Sequence, residues 1–589
     1  MNILLLHPLD SPWSDIWREK KWDMVVDLGW AGEESYLKWE QIYKCKIISI
    51  WSGIEKVTFY QQVNDIQDTM RDQLVDTYGI DWLDMILPLL RKHIFDMILS
   101  REIVPYLPPH AIVFVSRPHV LADYISEALG QSAIILYQNQ TVSRAEKSLE
   151  YVKKAFHFSS KQLYEILVNK FDALYQKRRL LKLQLKRADG SMPLVFVPSS
   201  YVNVSTNASK FAASMSDYKF LIVTLQPNAK LFDERDNIRT TSIASYVPSV
   251  RAIQFELKQL LEQWGHVRQA LIKNNTAFEL LDRNGTFNAL PAFLRRGLIL
   301  KAAWKKAFET LRPDSLFCGD ENNSDMRLST LVAKSLGIRT VSFHHGALDC
   351  SMYLKPLSSN FYLTRSLMEY DYLSNIDMLS TGALIKPNMC EISLHRREVL
   401  ERSNEGLIIF FSEPYECGEG RVDEIYRSIL KPLLKIARSD HRRIIVKLHP
   451  FESVKQRTKL IRNIVTPEDL AMIQVIEGPL DSELLEQAWF VITLKSSVVI
   501  DCAEKNIPCF MCKWLDYFCN GYIDQFAKFG AGLLLNKQEE INDIPLFLLK
   551  YYQKKSAVLA NNFYAPDISK LKRLLAGQKM LKHPSEVLI

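Results

Sequence analysis

The chain predicts an α/β protein built from doubly wound parallel sheets, and three observations carry the prediction. Short, fully apolar runs recur along its 589 residues, the pattern of strands buried on both faces. Amphipathic stretches long enough for helices separate these runs, so successive strands are joined by parallel crossovers. The length also exceeds what one hydrophobic core supports, so the series divides into consecutive domains.

Taken in order, the first strands fall at 3–6, 24–27, 45–50, 111–115 and 133–136, with a helical region over 60–101. Residues 1–150 thus read as a Rossmann-like α/β domain of their own. The opening run Met1-Asn2-Ile3-Leu4-Leu5-Leu6-His7-Pro8 has no basic leader and reads as a buried strand, not a signal peptide. Residues 151–190 read as a helical linker ending in the basic cluster Lys177, Arg178, Arg179, Lys182, Lys186 and Arg187, a solvated face before the break at Ala188-Asp189-Gly190-Ser191.

A second α/β domain follows over 191–398. Its strands are expected at 193–197, 220–225, 314–318, 339–343 and 361–364, with helices over 250–271 and 292–311. A third, over 399–575, places strands at 407–411, 444–448, 473–476, 490–494 and 508–511. The last dozen residues are expected to fray.

Composition narrows the function classes. An apolar fraction of 47% and a charged fraction of 24% are ordinary for a globular protein. The net charge of +7 suits an anionic ligand or an anionic membrane surface. It is too weak and too dispersed for a nucleic-acid binder, and no such motif is present. Nine scattered cysteines read as reduced thiols of a cytoplasmic protein. Cys509-x-x-Cys512 lacks a second pair and reads as part of a strand, so no metal site is expected. No apolar stretch is long enough to span a bilayer, so membrane contact is expected to be peripheral.

The residues that carry chemistry sit where strands stop. His449-Pro450 ends the run Ile444-Ile445-Val446-Lys447-Leu448. Proline stops the strand and fixes the turn, and the imidazole can donate to a phosphate oxygen. Lys495-Ser496-Ser497 ends the run 489–494 and opens a helix, where N–H groups and hydroxyls favour an anion. Glu477-Gly478 ends the strand between them, where a nucleotide's base or ribose would lie. Ser412-Glu413 ends the first strand of this domain and leads into Gly418-Glu419-Gly420-Arg421, which lacks the lysine and spacing of a P-loop.

In the second domain Gly319-Asp320-Glu321 closes one strand. Adjacent carboxylates there suit a general base or a nucleophile, or a cap for the helix that follows. His344-His345-Gly346 closes the next strand and could face phosphate or acceptor. Ligands of such sheets bind beyond the carboxyl ends of the strands, so all these residues point to one cleft.

The series Asp320 … Arg327 … Gly337-Ile338 … His345-Gly346, then Lys447-Leu448-His449-Pro450, then Ser496-Ser497 … Glu504 … Pro508 resembles bacterial surface-polysaccharide glycosyltransferases of GT-B fold. It is similar to the group holding bacterial sialyltransferases, capsule Kdo transferases and CDP-glycerol glycerophosphotransferases. The resemblance covers residues 193–570 and leaves 1–190 outside it. It implies a GT-B-like pair of Rossmann-type domains plus the additional N-terminal domain. It implies His449, Pro450, Lys495, Ser496, Ser497, Glu477, Gly478 and Glu413 around a nucleotide-sugar donor, with His449 stabilising the departing nucleotide. Asp320, with Glu321 as second choice, would be the catalytic carboxylate.

Many members use a cytidine nucleotide, which implies a CMP-activated sugar, no cofactor and no metal. The partners implied are a glycan or glycolipid acceptor and the cytoplasmic face of the inner membrane. The sialyltransferase order of two acidic residues followed by glycine is reversed here, which favours Kdo or a related ulosonic acid. The same motifs would also serve a CDP-alditol phosphotransferase, a UDP-sugar 2-epimerase or a nucleotide-binding module without turnover.

Overall fold

Strands such as Ile444–Lys447 and Met24–Asp27 are buried along their whole length, which requires cover on both faces, and the structure supplies it. The computed structural model describes residues 1–135 and 192–576, apart from short loops, chiefly 227–234, 347–356, 376–382, 388–405, 416–420, 516–521 and 554–565. The linker 151–190, His345, Gly418 to Gly420 and the residues after 576 lie outside the described residues.

Three sheets form, and every strand pair in them is parallel. The first holds β1 (Asn2–Leu6), β2 (Met24–Asp27), β3 (Lys46–Ser49), β4 (Ile112–Val115) and β5 (Ile134–Ile135) in the order β3-β2-β1-β4-β5. The second holds β6 (Leu194–Ser199), β7 (Lys219–Thr224), β8 (Ile238–Ser242), β9 (Ser315–Cys318), β10 (Arg339–Ser342), β11 (Phe361–Leu363) and β12 (Leu384–Ile385) in the order β12-β11-β10-β9-β6-β7-β8. The third holds β13 (Leu407–Phe411), β14 (Ile444–Lys447), β15 (Ile473–Ile476), β16 (Ala488–Thr493), β17 (Cys509–Cys512) and β18 (Leu533–Leu535) in the order β15-β14-β13-β16-β17-β18. Each order reverses once, at β1/β4, β6/β9 and β13/β16, as in doubly wound folds.

The expected α/β class is therefore observed, with three differences in detail. Strands β8, β12 and β18 were not anticipated. All three lie at sheet edges, and β8 (Ile-Arg-Thr-Thr-Ser) lacks an apolar run. The helical region 60–101 is two helices, Lys56–Met70 and Trp82–Ile103. Asp81 caps the second by accepting the Leu83 N–H, a start signal that the continuous helical reading passed over. Finally, the helix Ile568–Leu575, read with the third unit, packs on the second sheet. There Leu571 and Leu575 are buried, and its carbonyls accept from Tyr218 Oη at 2.7 Å and Ser315 Oγ at 2.8 Å.

The three units are joined by buried contacts. The helix Trp82–Ile103 of the first lies against the second, where a Cβ on Gly297 would run into the Trp82 ring. Arg327 donates twice to Asp84, at 2.9 and 2.5 Å, which gives the motif arginine a partner outside the second sheet. Tyr362, Met368 and Tyr372 of the second unit share one core with Ile409, Val491 and Tyr522 of the third. Arg421 leaves the third unit and enters the first at the carboxyl ends of β1 and β2. Among the described residues no helix is long and apolar enough to cross a membrane.

Candidate functional site

At the carboxyl end of the third sheet, three neighbouring strands β14, β13 and β16 deliver the predicted residues to one place. A doubly wound parallel sheet opens a crevice where its strand order reverses, here between β13 and β16. Ser412-Glu413 follows β13, His449-Pro450 follows β14, and Lys495-Ser496-Ser497 follows β16.

The His449 turn is built by a residue that sequence reasoning missed. Glu452, whose side chain is fully buried, accepts the His449 N–H at 2.8 Å, the Ser412 hydroxyl at 2.7 Å and the Arg457 Nε–H at 2.6 Å. Tyr426 Oη donates in turn to Ser412 Oγ at 2.6 Å. The Phe451 N–H donates to His449 Nδ1 at 3.2 Å, which leaves the neutral ring's proton on Nε2. His449 itself is half-buried and Pro450 exposed. The signal for Glu452 was in the chain: an acid three residues after the histidine of a Pro-fixed turn is placed to close that turn by hydrogen bonding.

Glu413 serves the opposite loop. It accepts the Lys495 N–H at 2.8 Å, and Thr493 Oγ1 donates to it at 3.4 Å. It was expected to contact donor; the structure buries it as the anchor of the Lys495–Ser497 turn. Burial pushes its carboxyl pKa up, against the pull of the Lys495 charge and N–H. A raised folded pKa stabilises most below the unfolded value, about 4.3, and that contribution is lost as pH rises through the folded pKa. Glu413→Gln is therefore expected to gain stability relative to the parent between pH 4.5 and pH 8, read by urea melts at both. A difference that does not grow with pH would show that the carboxylate is not desolvated.

Ser496 Oγ accepts the Val498 N–H at 3.3 Å. Ser497 occupies the cap position of the helix Val498–Glu504 without a side-chain cap bond. One hydroxyl, not two, therefore serves the backbone. Glu477 and Gly478 are exposed at the end of β15. Gly478 adopts φ +101°, which a side chain would strain, and its carbonyl accepts Lys447 Nζ at 2.5 Å. Burial lowers the Lys447 pKa, with Glu477 and Glu452 acting the other way. This buried lysine, unassigned from sequence, ties the ends of β14 and β15 together.

The second sheet presents its own reversal, between β6 and β9. Gly319 ends β9, and a Cβ there would lie 2.5 Å from Val204 and 2.9 Å from the Phe343 ring. Glycine thus lets the helix Val202–Ala213 close on the strand end. Asp320 and Glu321 follow, both buried. They do not cap the next helix: Asn323 does, accepting the Asp325 and Met326 N–H groups at 3.1 and 3.3 Å. Glu321, the second choice for catalysis, accepts the N–H groups of Ser358 and Ser359 at 2.7 and 2.9 Å. Its two oxygens hold a loop. Asp320 lies near enough to Tyr201 for its charge to act there: the Tyr201 pKa is raised by burial and further by the charges of Asp320 and Asp325, against a hydrogen bond from Asn323.

His344 is buried after β10. Its neighbour Gly346 gives its carbonyl to Arg365 Nη2 at 2.7 Å. Arg365 also pairs with the fully buried Glu369, donating through Nε at 2.7 Å. The fixed cation stands at the end of β11, and its charge reaches across to Asp501 of the third unit, whose pKa burial raises and Lys210, Arg365 and Lys505 lower.

The two reversals face each other. Phe451, two residues beyond His449, meets the Tyr201 ring with centroids 6.4 Å apart, edge to face. The loop after β6, the neighbour of the strand β9 that leads to Asp320, thus touches the loop after β14 that carries His449, while Glu413 and Glu321 anchor loops behind them. Among the described residues no group of three or more His, Cys, Asp or Glu side chains is placed to share a metal ion.

No protein-family model matches the sequence, and no curated protein matches it. Solved structures give weak likenesses. A UDP-GlcNAc 2-epimerase from Neisseria meningitidis, bound to UDP-GlcNAc, is 11% identical with a TM-score of 0.41, covering 65% of this chain and 99% of that one. A glycosyltransferase from Rickettsia africae is 10% identical with a TM-score of 0.38, covering 66% and 93%. MurG from Acinetobacter baumannii is 9% identical with a TM-score of 0.37, covering 65% and 99%. Scores below 0.5 leave the architecture to be argued from this chain's own strand order.

Proposed function

We propose that this chain is a nucleotide-sugar-dependent glycosyltransferase of bacterial surface-polysaccharide synthesis, and that its donor is a CMP-activated ulosonic acid such as Kdo. The observation that carries the reading is the facing pair of sheet reversals. One bears a histidine and a hydroxyl-bearing turn suited to a phosphate; the other bears a buried carboxylate suited to an acceptor hydroxyl. In this scheme the donor phosphate lies between His449 and Ser496-Ser497, and the departing CMP gains its stabilisation from those donors. Asp320 takes the acceptor proton, or attacks the anomeric carbon if the enzyme retains configuration. A CMP-sugar has a single phosphodiester charge, which a histidine, hydroxyls and backbone N–H groups can meet without a metal. The acceptor is a glycan or glycolipid, reached at the cytoplasmic face of the inner membrane.

Thermal-shift screening with CMP, CDP, UDP and GDP tests this directly. A ligand at a hundredfold excess over its Kd adds about 2.7 kcal/mol, so CMP is expected to raise the melting temperature. His449→Ala removes a hydrogen bond to a charged group, about 1.5–3 kcal/mol, and is expected to weaken CMP binding about 10- to 100-fold. An undiminished shift in His449→Ala overturns the site. Stabilisation by UDP instead of CMP overturns the donor and turns attention to UDP-sugar chemistry.

A further inference from the structure

We infer that Phe451 and Tyr201 form an aromatic clamp that holds the pyranose ring being transferred, a role that rests on the nucleotide-sugar reading above. Phe451 is 71% exposed, an expensive position for a phenyl ring unless something covers it in use. It is not stranded on a remote surface. Its ring stands 5.0 Å from that of His449 and 6.4 Å from that of Tyr201. It therefore bridges the His449 turn to Tyr201, the side chain that the charge of Asp320 reaches.

The two rings differ in freedom in a way that suits a clamp. Tyr201 is held: its Oη accepts from Asn323 Nδ2 at 3.0 Å, and Asn323 caps the helix Ser324–Ser335. Phe451 hangs from the outer edge of the His449 turn, its N–H spent on His449 Nδ1. Tyr201 belongs to the second unit and Phe451 to the third, so their separation reads the width of the cleft. A sugar attached to a phosphate at His449 and directed toward the second unit would meet these two rings, which touch edge to face. A pyranose presents one face of C–H bonds with partial positive charge, and an aromatic face is negative. Stacking on Phe451 with Tyr201 at the ring's edge would orient the anomeric carbon toward Asp320 and keep water from the gap.

The alternatives are separable. A ring that stacks on the nucleobase would serve free nucleotide and nucleotide-sugar equally. A ring that only closes the cleft would serve neither. Binding is measured by calorimetry for CMP against CMP-N-acetylneuraminate, and for UDP against UDP-N-acetylglucosamine. The quantity read is the affinity gained from the sugar, the ratio of the two Kd values. In Phe451→Ala this ratio is expected to fall about three- to tenfold while the Kd of the free nucleotide stays put. Phe451→Trp, which keeps an aromatic face, is expected to preserve the ratio, and Phe451→Leu to lose it. An exposed position makes all three variants compatible with folding. A wild-type ratio of one, a ratio unmoved by Phe451→Ala, or an equal loss for free nucleotide each overturns the clamp while leaving the transferase reading standing. A wild-type protein that binds none of these nucleotides removes the transferase reading and the clamp with it.

Discussion

Arg421→Ala is expected to destabilise the protein by about 3–5 kcal/mol, the usual consequence of stranding one partner of a buried ion pair. The guanidinium is fully buried, and so is Asp27, its partner in the first unit. Nε and Nη2 donate to Asp27 Oδ1 at 2.8 and 2.6 Å, Nη2 also to the carbonyl of His7 at 3.1 Å, and Nη1 to that of Asp10. Trp39 stacks beneath, its ring 5.2 Å from the Arg421 Cζ. Alanine leaves the Asp27 carboxylate in a dry pocket with only the Gly29 N–H and Tyr36 Oη as donors.

The damage is expected to travel. The Arg421 N–H is bonded to the Trp30 carbonyl at 2.9 Å, and the helix Val422–Ser439 that follows carries Tyr426, the donor to Ser412 in the His449 network. Urea unfolding followed by tryptophan fluorescence would report the loss. A shift under 1 kcal/mol would show that the first unit is not clamped by this residue. Replacing the pair together, Arg421→Met with Asp27→Leu, is expected to recover much of the stability, because apolar pairs of similar volume tolerate such sites. The carboxyl ends of β1 and β2 are filled by an arginine from the third unit.

The strands were legible because burial on both faces writes itself as uninterrupted Ile, Val, Leu and Phe: 407–411 and 444–446 need no partner information to be recognised. The edge strands β8 and β12 were not, since a strand with one neighbour carries half the apolar demand and can be as short as Leu384–Ile385. The site followed the same rule. His449 and Ser496 were visible because strand ends followed by Pro or Ser are locally encoded. Lys447 and Tyr201 act through bonds to Gly478 and Asn323 on other segments, and Arg421 reaches a residue nearly 400 positions away in the chain. Such pairings depend on the fold that sequence spacing alone does not display. Glu321 shows the converse: adjacent to Asp320 and chemically equal to it in sequence, it is distinguished by two N–H groups from Ser358 and Ser359.

That distinction sets up the largest expected effect on turnover. Asp320→Asn is expected to lower sugar transfer about 10²- to 10⁴-fold, the range a positioned general base supplies, while CMP binding and the melting temperature stay near those of the parent. The amide keeps the size of the carboxylate beside Tyr201 but cannot take the acceptor proton. Glu321→Gln is expected to behave in the opposite way. It removes the charge from two N–H acceptances, about 1.5–3 kcal/mol for hydrogen bonds to a charged group, and loosens the Ser358-Ser359 loop without touching the reacting atoms. Stability falls and the rate per folded molecule holds. Donor turnover and thermal melts on the same two variants separate the roles. An Asp320→Asn enzyme with more than a tenth of the parental rate would move the base elsewhere. A Glu321→Gln enzyme that is stable but inactive would move it one residue along the chain, because only a carboxylate in contact with substrate loses rate without losing fold.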